Sequence, residues 1–308
     1  MPSLSNAVPY LPPLERPLQL VLGKGGVGRS TLCAALGLHL ASRGRRVLLC
    51  EMRSQRALPP LFGREASSDG PLELAPGIRW MSLAPDTALS AYAGLRLRFR
   101  MVARAVFEQP RVRRFLHAVP ALAEILMLGQ LCHLAERGEA EAVILDAPST
   151  GPALLMLEAP ASVLRTAPAG PLRDGARWIN EWLADARRTA LHRVTLAEEL
   201  PVSESLELDE RLRAAALPDG LWLLNRLLPE DVEPPAEAAL ARARSAAGME
   251  ELWRALSVYR DRLDSQRREL RRLPLSPGMA RRFQERFSVR VEERVQALAS
   301  GFAEGGGA

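Results

Sequence analysis

One stretch near the N-terminus, residues 18–31, restricts the possible fold of this chain more than any other. It reads Leu-Gln-Leu-Val-Leu-Gly-Lys-Gly-Gly-Val-Gly-Arg-Ser-Thr, an apolar run that passes through glycines into a helical pattern. Small residues let backbone N–H groups wrap an anion, and a helix N-terminus adds the positive end of its dipole. The order of strand, glycine loop and helix therefore predicts a phosphate cradle built into an α/β sheet.

The same loop carries the side chains that phosphate binding needs. The residues predicted to bind a nucleotide are Gly23, Lys24, Gly25, Gly26, Val27, Gly28, Arg29, Ser30 and Thr31. Ser30 is placed to hold Mg²⁺ beside a β- or γ-phosphate, and Thr31 to reach the α-phosphate. The generic pattern is G-x-x-x-x-G-K-[ST], and this chain has Arg29 where that pattern has lysine. A glycine-rich turn can also be only a bend, but nine residues in register between a strand and a helix favour nucleotide binding.

A second motif supplies a carboxylate. Residues 141–145 form an apolar run, Glu-Ala-Val-Ile-Leu, which ends in Asp146. A carboxylate at the end of a buried strand, opposite a phosphate loop, can hold the water shell of Mg²⁺. An aspartate after a strand can also cap the next helix. The phosphate loop favours the metal role, so Ser30 and Asp146 are the predicted metal residues and Asp146 is also predicted to be catalytic.

Strand and helix patterns alternate along the chain. They predict an α/β fold, a doubly wound, mostly parallel sheet of the P-loop NTPase type with a helical insertion. The predicted strands are 18–22, 45–50, 77–83, 141–145, 192–196 and 221–225, and residues 279–299 are predicted to be mostly helical. We expect flexible tails at 1–16 and 301–308. A single domain, 17–300, would lie between them and carry helical segments at about 86–137 and 160–190.

Charge and cysteine content narrow the setting. The chain has 41 basic and 36 acidic residues, and the net charge of +5 is by itself too mild to imply nucleic acid as a partner, although a pI near 9.7 leaves that partner open. Its three cysteines lack the spacing of metal ligands and are interpreted as buried thiols in a reducing compartment. The sequence shows no signal-peptide pattern and no uncharged apolar run of the roughly 18 residues that a membrane span needs. We therefore expect a cytoplasmic protein without an integral membrane segment.

Lys24 is the only lysine among the 308 residues. Arginine fills the other basic positions, and we interpret this as a composition bias under which Arg29 is a tolerated replacement. The stretch GKGGVGRST resembles the deviant phosphate loop of the signature-lysine ATPases, which include partition, septum-placement, nitrogenase-iron-protein and arsenite-pump ATPases. In that group the early lysine reaches across a dimer to the partner's phosphates. The resemblance implies such a catalytic role for Lys24.

Four further stretches narrow the resemblance to the arsenite-pump and tail-anchored-protein-targeting ATPase family. They are residues 47–63, residues 146–160, residues 194–208 (VTLAEELPVSESLEL) and residues 221–229 (LWLLNRLLP). The resemblance implies ATP and Mg²⁺ as cofactors, with the Asn225 amide reading the adenine edge. It also implies a nucleotide-gated dimer, either a homodimer or a heterodimer with a paralogue.

The departures from the family pattern concern hydrolysis. Arg53 stands where the family has the aspartate that positions the attacking water, and Pro152 stands where it has a histidine. Glu51 is the nearest carboxylate and is the candidate substitute. Because phosphoryl transfer depends on positioned charges and an oriented water, these changes, with Arg29, predict slow hydrolysis.

Three hypotheses follow. The first is a slow, dimeric ATPase that hydrolyses ATP to ADP and phosphate. The second is a non-catalytic, ATP-binding regulatory subunit of a more intact paralogue. The third, and weakest, is a partition- or septum-placement-type ATPase. The chain lacks the cysteine cluster of an arsenite site, and its segment 146–194 looks too short and charged for a large membrane-helix groove. A protein client stays open.

Overall fold

The computed structural model describes residues 11–52, 54–66, 70–85, 88, 122–229, 241–242, 244, 248–285 and 290–303. The strands are β1 (Leu18–Gly23), β2 (Val47–Met52), β3 (Leu72–Ala75), β4 (Ile78–Leu83), β5 (Ala142–Asp146), β6 (Thr189–Leu196), β7 (Asp219–Leu227) and β8 (Ala280–Gln284). The α-helices are α1 (Arg29–Ser42), α2 (Leu122–Arg137), α3 (Thr150–Thr166), α4 (Pro171–Ala184), α5 (Glu199–Ala214), α6 (Glu250–Arg272) and α7 (Val291–Ser300). Two short 3-10 helices cover Pro13–Glu15 and Pro59–Phe62.

The eight strands form one sheet in the order β3-β4-β2-β5-β1-β6-β7-β8. Every neighbouring pair is parallel except β3 and β4, which form an antiparallel pair at one edge. All six residues of β1 are buried, as expected for a central strand that is covered on both faces. The predicted doubly wound, mostly parallel α/β sheet is confirmed.

Alternation along β1 divides the core into two layers. Successive side chains of a strand point to opposite faces. Leu20 and Leu22 therefore join the apolar cluster that contains residues of α2, α3 and α4. Val21 joins the cluster on the other face, which contains residues of α1 and α7. The glycine loop that follows β1 is thus carried by a strand that is fixed from both sides.

The predicted helix over residues 279–299 is wrong in its first part. Residues Ala280–Gln284 form β8, which pairs in parallel with β7 at the edge of the sheet, and helix α7 begins only at Val291. The segment reads Ala-Arg-Arg-Phe-Gln, and its arginines hide a strand that is specified by pairing with β7 and by burial of Phe283. The antiparallel edge strand β3 was also not predicted.

Both predicted tails contain residues that lie against the sheet. The Arg16 side chain is 1% exposed and donates to the carbonyls of Thr189 and Asp219. Phe302 is 2% exposed, and its ring lies 4.9 Å from that of Phe283. Of the predicted helical segment 86–137, the structure describes Ala88 and α2, and Arg53 lies outside the described residues. No helix in the described ranges is long and apolar enough to cross a membrane.

Candidate nucleotide-binding site

The site lies where β1 and β5 end side by side. These strands are parallel neighbours, and Val21 is in register with Asp146. Residues 24–28 then form the loop between β1 and α1, and α1 begins at Arg29. Carboxyl ends of parallel strands meet at one edge of a sheet, which is where open α/β proteins bind ligands. The sheet therefore brings together two motifs that lie more than 100 residues apart in the sequence.

Two glycines are required by the shape of the loop. Gly28 caps α1 with a φ of +92°, and a Cβ there would lie 2.3 Å from the Asn225 amide nitrogen. A Cβ on Gly23 would lie 2.4 Å from the carbonyl oxygen of Val194. Only glycine tolerates such positions without strain. The loop is consequently held close against β6 and β7, which fixes its backbone before any ligand arrives.

Ser30 and Asp146 form the predicted metal pair. The Ser30 hydroxyl donates to Oδ2 of Asp146 over 2.5 Å, and the carboxylate is fully buried. Its other oxygen, Oδ1, accepts no hydrogen bond from any residue that the structure describes. Burial raises the pKa of Asp146, while the Ser30 hydroxyl and the Arg29 guanidinium oppose that rise. A buried carboxylate oxygen with an open lone pair, beside a hydroxyl, fits the hard oxygen donors that Mg²⁺ and its water shell prefer.

Arg29 contacts the loop that follows β5. Its Nη1 atom donates to the carbonyl of Ala147 over 2.5 Å and also to the carbonyl of Pro148. Burial lowers the pKa of this guanidinium, and the charge of Asp146 counteracts that effect. The residue in the P-loop lysine position thus joins the start of α1 to the chain segment between β5 and α3.

Lys24 is bound within its own chain. Its Nζ atom lies 2.7 Å from Oε1 of Glu204, and the two side chains are 29% and 33% exposed. Glu204 belongs to α5 and was not identified from the sequence as a site residue. The signal was present, because Glu204 lies inside the stretch 194–208 that carries the family resemblance.

Both carboxylate oxygens of Glu51 accept hydrogen bonds from the protein. It is fully buried, and Oε1 accepts from the Trp80 indole nitrogen over 2.8 Å. Oε2 accepts from the backbone nitrogens of Ala57 and Leu58 over 2.7 and 3.2 Å. Burial raises the pKa of Glu51, and these three donors oppose the rise. The carboxylate anchors the segment after β2 to the sheet.

Gln55 connects the two loops that follow β2 and β5. Its Oε1 accepts from the backbone nitrogen of Met52 over 3.0 Å. Its Nε2 donates to the carbonyl of Ala147 over 3.3 Å, the same carbonyl that binds Arg29. A glutamine in a polar loop carries no distinctive pattern, so this link was not visible in the sequence.

Asn225 lies at the opposite side of the glycine loop. Its amide nitrogen donates to the carbonyl of Val27 over 2.8 Å, and its oxygen accepts from the backbone nitrogen of Arg226 over 3.0 Å. A cavity of about 210 Å³ lies beside it, lined by Gly28, Thr31, Asn225, Arg226, Gln284 and Glu285 among others. Asn225 thus secures the phosphate loop and borders a space next to it.

These features define a class of protein. A glycine loop leads from a central strand into a helix whose serine contacts an aspartate of the neighbouring parallel strand. In a doubly wound sheet this arrangement is that of the P-loop nucleotide-binding proteins.

Comparison with known proteins gives the family. The sequence model of the anion-transporting ATPase family matches residues 18–167 of this chain. The chain is 32% identical over 228 residues to the putative ATPase Mb3704 of Mycobacterium bovis and equally to ATPase BagA of Mycobacterium tuberculosis, a match that covers 70% of this chain and 67% of theirs. It is 25% identical over 292 residues to an arsenical pump-driving ATPase of Acidiphilium multivorum, covering 82% of this chain and 46% of that protein. The chain belongs to the anion-transporting, ArsA-like ATPase family, as its motifs predicted.

Proposed function

We propose that this chain binds Mg-ATP at the loop 23–31 and hydrolyses it slowly to ADP and phosphate as a nucleotide-gated dimer. The observation that carries the proposal is the pair of Ser30 and Asp146, in which one buried carboxylate oxygen is left open beside the phosphate loop. A Mg²⁺ ion bound there would neutralise charge on the β- and γ-phosphates.

Each residue of the loop has a role in this proposal. The backbone N–H groups of residues 25–28 bind phosphate oxygens, and Thr31 reaches the α-phosphate. Ser30 and Asp146 hold the metal, and Lys24 supplies its positive charge across the dimer. The space beside Asn225 receives the adenine base, because it adjoins Gly28 and Thr31 at the end of the loop.

Slow turnover follows from the carboxylates. Hydrolysis requires a group that orients the attacking water. Glu51 is the candidate, but its oxygens already accept three hydrogen bonds from Trp80, Ala57 and Leu58. Because this carboxylate is also fully buried, the segment after β2 has to move before Glu51 can orient a water molecule. We therefore expect ATP binding to be the robust property and turnover to be slow.

The test is to measure ATP binding and turnover of the purified chain, with the oligomer size determined with and without Mg-ATP. We expect calorimetry to show Mg-dependent ATP binding and the size to increase with nucleotide. Lys24→Ala should abolish turnover. Arg177→Ala, which removes an exposed ion pair with Asp174 on α4, is the matched control for loss of a surface cation and should leave turnover unchanged. Absence of Mg-dependent ATP binding would contradict the proposal.

A second candidate function is a non-catalytic ATP-binding subunit whose paralogue performs the hydrolysis. Two observations favour it. The Glu51 carboxylate is buried and accepts three hydrogen bonds from the protein, and the Arg29 side chain binds carbonyl oxygens. In this case the purified chain binds Mg-ATP tightly without turnover, and a heterodimer forms with the paralogue. Turnover by the homogeneous chain that disappears in Lys24→Ala would exclude this candidate.

The cellular setting is also a proposal. Cys33, Cys50 and Cys132 are all buried and unpaired, which suits the reducing environment of the cytoplasm. We propose a cytoplasmic protein, and the family leaves room for a protein client. A protein that binds the ATP-bound form of the chain, but not the nucleotide-free form, would support the existence of such a client.

A further inference from the structure

The ammonium group of Lys24 has a carboxylate partner in its own chain. Its Nζ atom lies 2.7 Å from Oε1 of Glu204, at hydrogen-bond distance, and the two residues are 180 positions apart. Among the residues that the structure describes, Glu204 is the one acidic side chain in contact with Lys24. The single lysine of the chain is therefore tied to helix α5.

Glu204 faces the part of the molecule that must respond to a nucleotide. It lines a cleft of about 480 Å³ between α5 and the start of α3, together with Thr150, Gly151 and Glu207. Helix α3 begins directly after the loop whose carbonyls bind Arg29. The carboxylate consequently sits beside both the phosphate loop, through Lys24, and the segment that follows Asp146.

A phosphate and a carboxylate compete for the same ammonium group. Lys24 opens the phosphate loop directly after β1. In the proposed dimer its charge serves the nucleotide in the partner's loop, so phosphate oxygens bound there would attract it. Glu204 offers a competing negative charge that is present before the nucleotide binds. Opposite charges this close attract strongly enough in a partly exposed setting to bias where the lysine points, and the attraction is weakened by salt.

We propose that Glu204 is a positioning residue that holds Lys24 on α5 until phosphate displaces it, so that it sets the affinity for Mg-ATP. The inference rests on the proposed function, namely that the loop binds ATP. The partial exposure of the Lys24–Glu204 pair limits how much Glu204 can change the affinity. Exposed or half-exposed ion pairs are weak, so releasing Lys24 should strengthen nucleotide binding by about two- to fivefold.

The experiment compares the affinity of the wild-type chain and of Glu204→Gln for Mg-ATP by calorimetry. The substitution keeps the shape of the side chain and removes its charge. Glu207→Gln is the matched control, because Glu207 lines the same cleft one turn further along α5 and does not contact Lys24. We expect Glu204→Gln to bind about two- to fivefold more tightly and Glu207→Gln to differ less from wild type. Equal unfolding midpoints would show that all three chains are folded.

A double-mutant cycle separates this role from a general change in charge. If Glu204 acts through Lys24, then Glu204→Gln should leave the affinity unchanged when Lys24→Ala is already present. The advantage of the single variant should also shrink as salt is raised to about 1 M, where the screening length is only about 3 Å.

The outcomes are distinguishable. An equal effect of Glu204→Gln and Glu207→Gln, or an effect that persists in the Lys24→Ala background, would overturn the inference while leaving ATP binding intact. A wild-type chain that binds no Mg-ATP would overturn the proposed function and this inference together.

Discussion

Two neighbouring carboxylates in the sheet have opposite environments. Glu51 and Asp146 are in register on β2 and β5, and both are fully buried. Asp146 has one oxygen that accepts no hydrogen bond from the described residues, whereas Glu51 accepts from three donors. Burial of a charge is tolerated only when its hydrogen bonds are satisfied or a ligand supplies them. This difference supports the proposal that Asp146 holds the metal, whereas Glu51 positions the segment after β2 and its catalytic use stays a prediction.

Arg29 illustrates why arginine and lysine are not equivalent in a phosphate loop. A guanidinium has five donors in a planar fork, so it can bind two carbonyls and still present N–H groups to an anion. Here the carbonyls belong to Ala147 and Pro148. The residue therefore couples the loop after β5 to the start of α1, which a lysine with its single nitrogen would do less rigidly.

At the residue scale, Gly28→Ala tests the fit of the phosphate loop. The new methyl group would meet the Asn225 amide at 2.3 Å, at a φ of +92° that alanine adopts poorly. We expect the free energy of unfolding to fall by about 1–3 kcal/mol, because both strain and displacement of Asn225 contribute. Gly25→Ala is the control for stability, since nothing lies within 4 Å of a Cβ there. Denaturant unfolding measures both, and equal midpoints would contradict the prediction.

At the scale of elements, one histidine links three strands. His192 on β6 accepts a hydrogen bond at Nδ1 from the backbone nitrogen of Leu221 on β7, over 3.0 Å. Its Nε2 lies 3.1 Å from Oε1 of Gln19 on β1. Since Nδ1 accepts, Nε2 carries the proton and donates to Gln19. The side chain is fully buried, and burial lowers its pKa to about 3, with nearby arginines adding to the effect.

This histidine predicts a defined pH dependence of stability. In the unfolded chain His192 takes up a proton near the ordinary histidine pKa of about 6.5, whereas in the folded chain it does so only near its lowered pKa of about 3. The unfolded state therefore binds more protons between these values, and the free energy of unfolding should fall by about 1.4 kcal/mol for each pH unit of acidification. His192→Asn has no imidazole to protonate, so this part of the pH dependence should be absent. Free energies of unfolding measured at pH 6, 5 and 4 should therefore fall more steeply with acidification for the wild-type chain than for His192→Asn. Equal slopes for the two chains would show the idea to be wrong.

At the scale of the molecule, the strand order decides where the site lies. β1 is flanked by β5 on one side and β6 on the other, so its glycine loop has Asp146 on one side and Asn225, beyond β6 on β7, on the other. Helix α5, which follows β6, brings Glu204 to Lys24. A ligand in the loop would thus lie among segments carried by β1, β5 and β7, and we expect its binding to raise the free energy of unfolding of the whole chain.

A ligand-linkage measurement tests this at the same scale. At a Mg-ATP concentration 100 times its dissociation constant, we expect the free energy of unfolding to rise by about 2.7 kcal/mol, because the ligand binds only the folded chain. Asp146→Asn should lose the part of this gain that depends on Mg²⁺, measured as the difference between Mg-ATP and ATP with a chelator. A gain of the same size in the variant would remove Asp146 from the metal site.

Much of the site was predictable because its signals are local. The phosphate loop is a contiguous stretch whose backbone shape depends on its own glycines, and Asp146 ends a strand whose apolar pattern is continuous. The central strands were predicted for the same reason. The strand β8 was not, since Ala-Arg-Arg-Phe-Gln has little strand character and is extended only because β7 offers it an unpaired edge.

The amino-acid sequence by itself determined the class of fold, the phosphate loop, the carboxylate opposite it and the family, because each is written in a run of adjacent residues. Tertiary structure alone decided which charges are free to act. Trp80 donates a hydrogen bond to Glu51 from 29 residues away, and Lys24 donates one to Glu204, 180 residues away. Such contacts depend on which strands and helices become neighbours, and no local pattern encodes a pairing between side chains that the fold brings together.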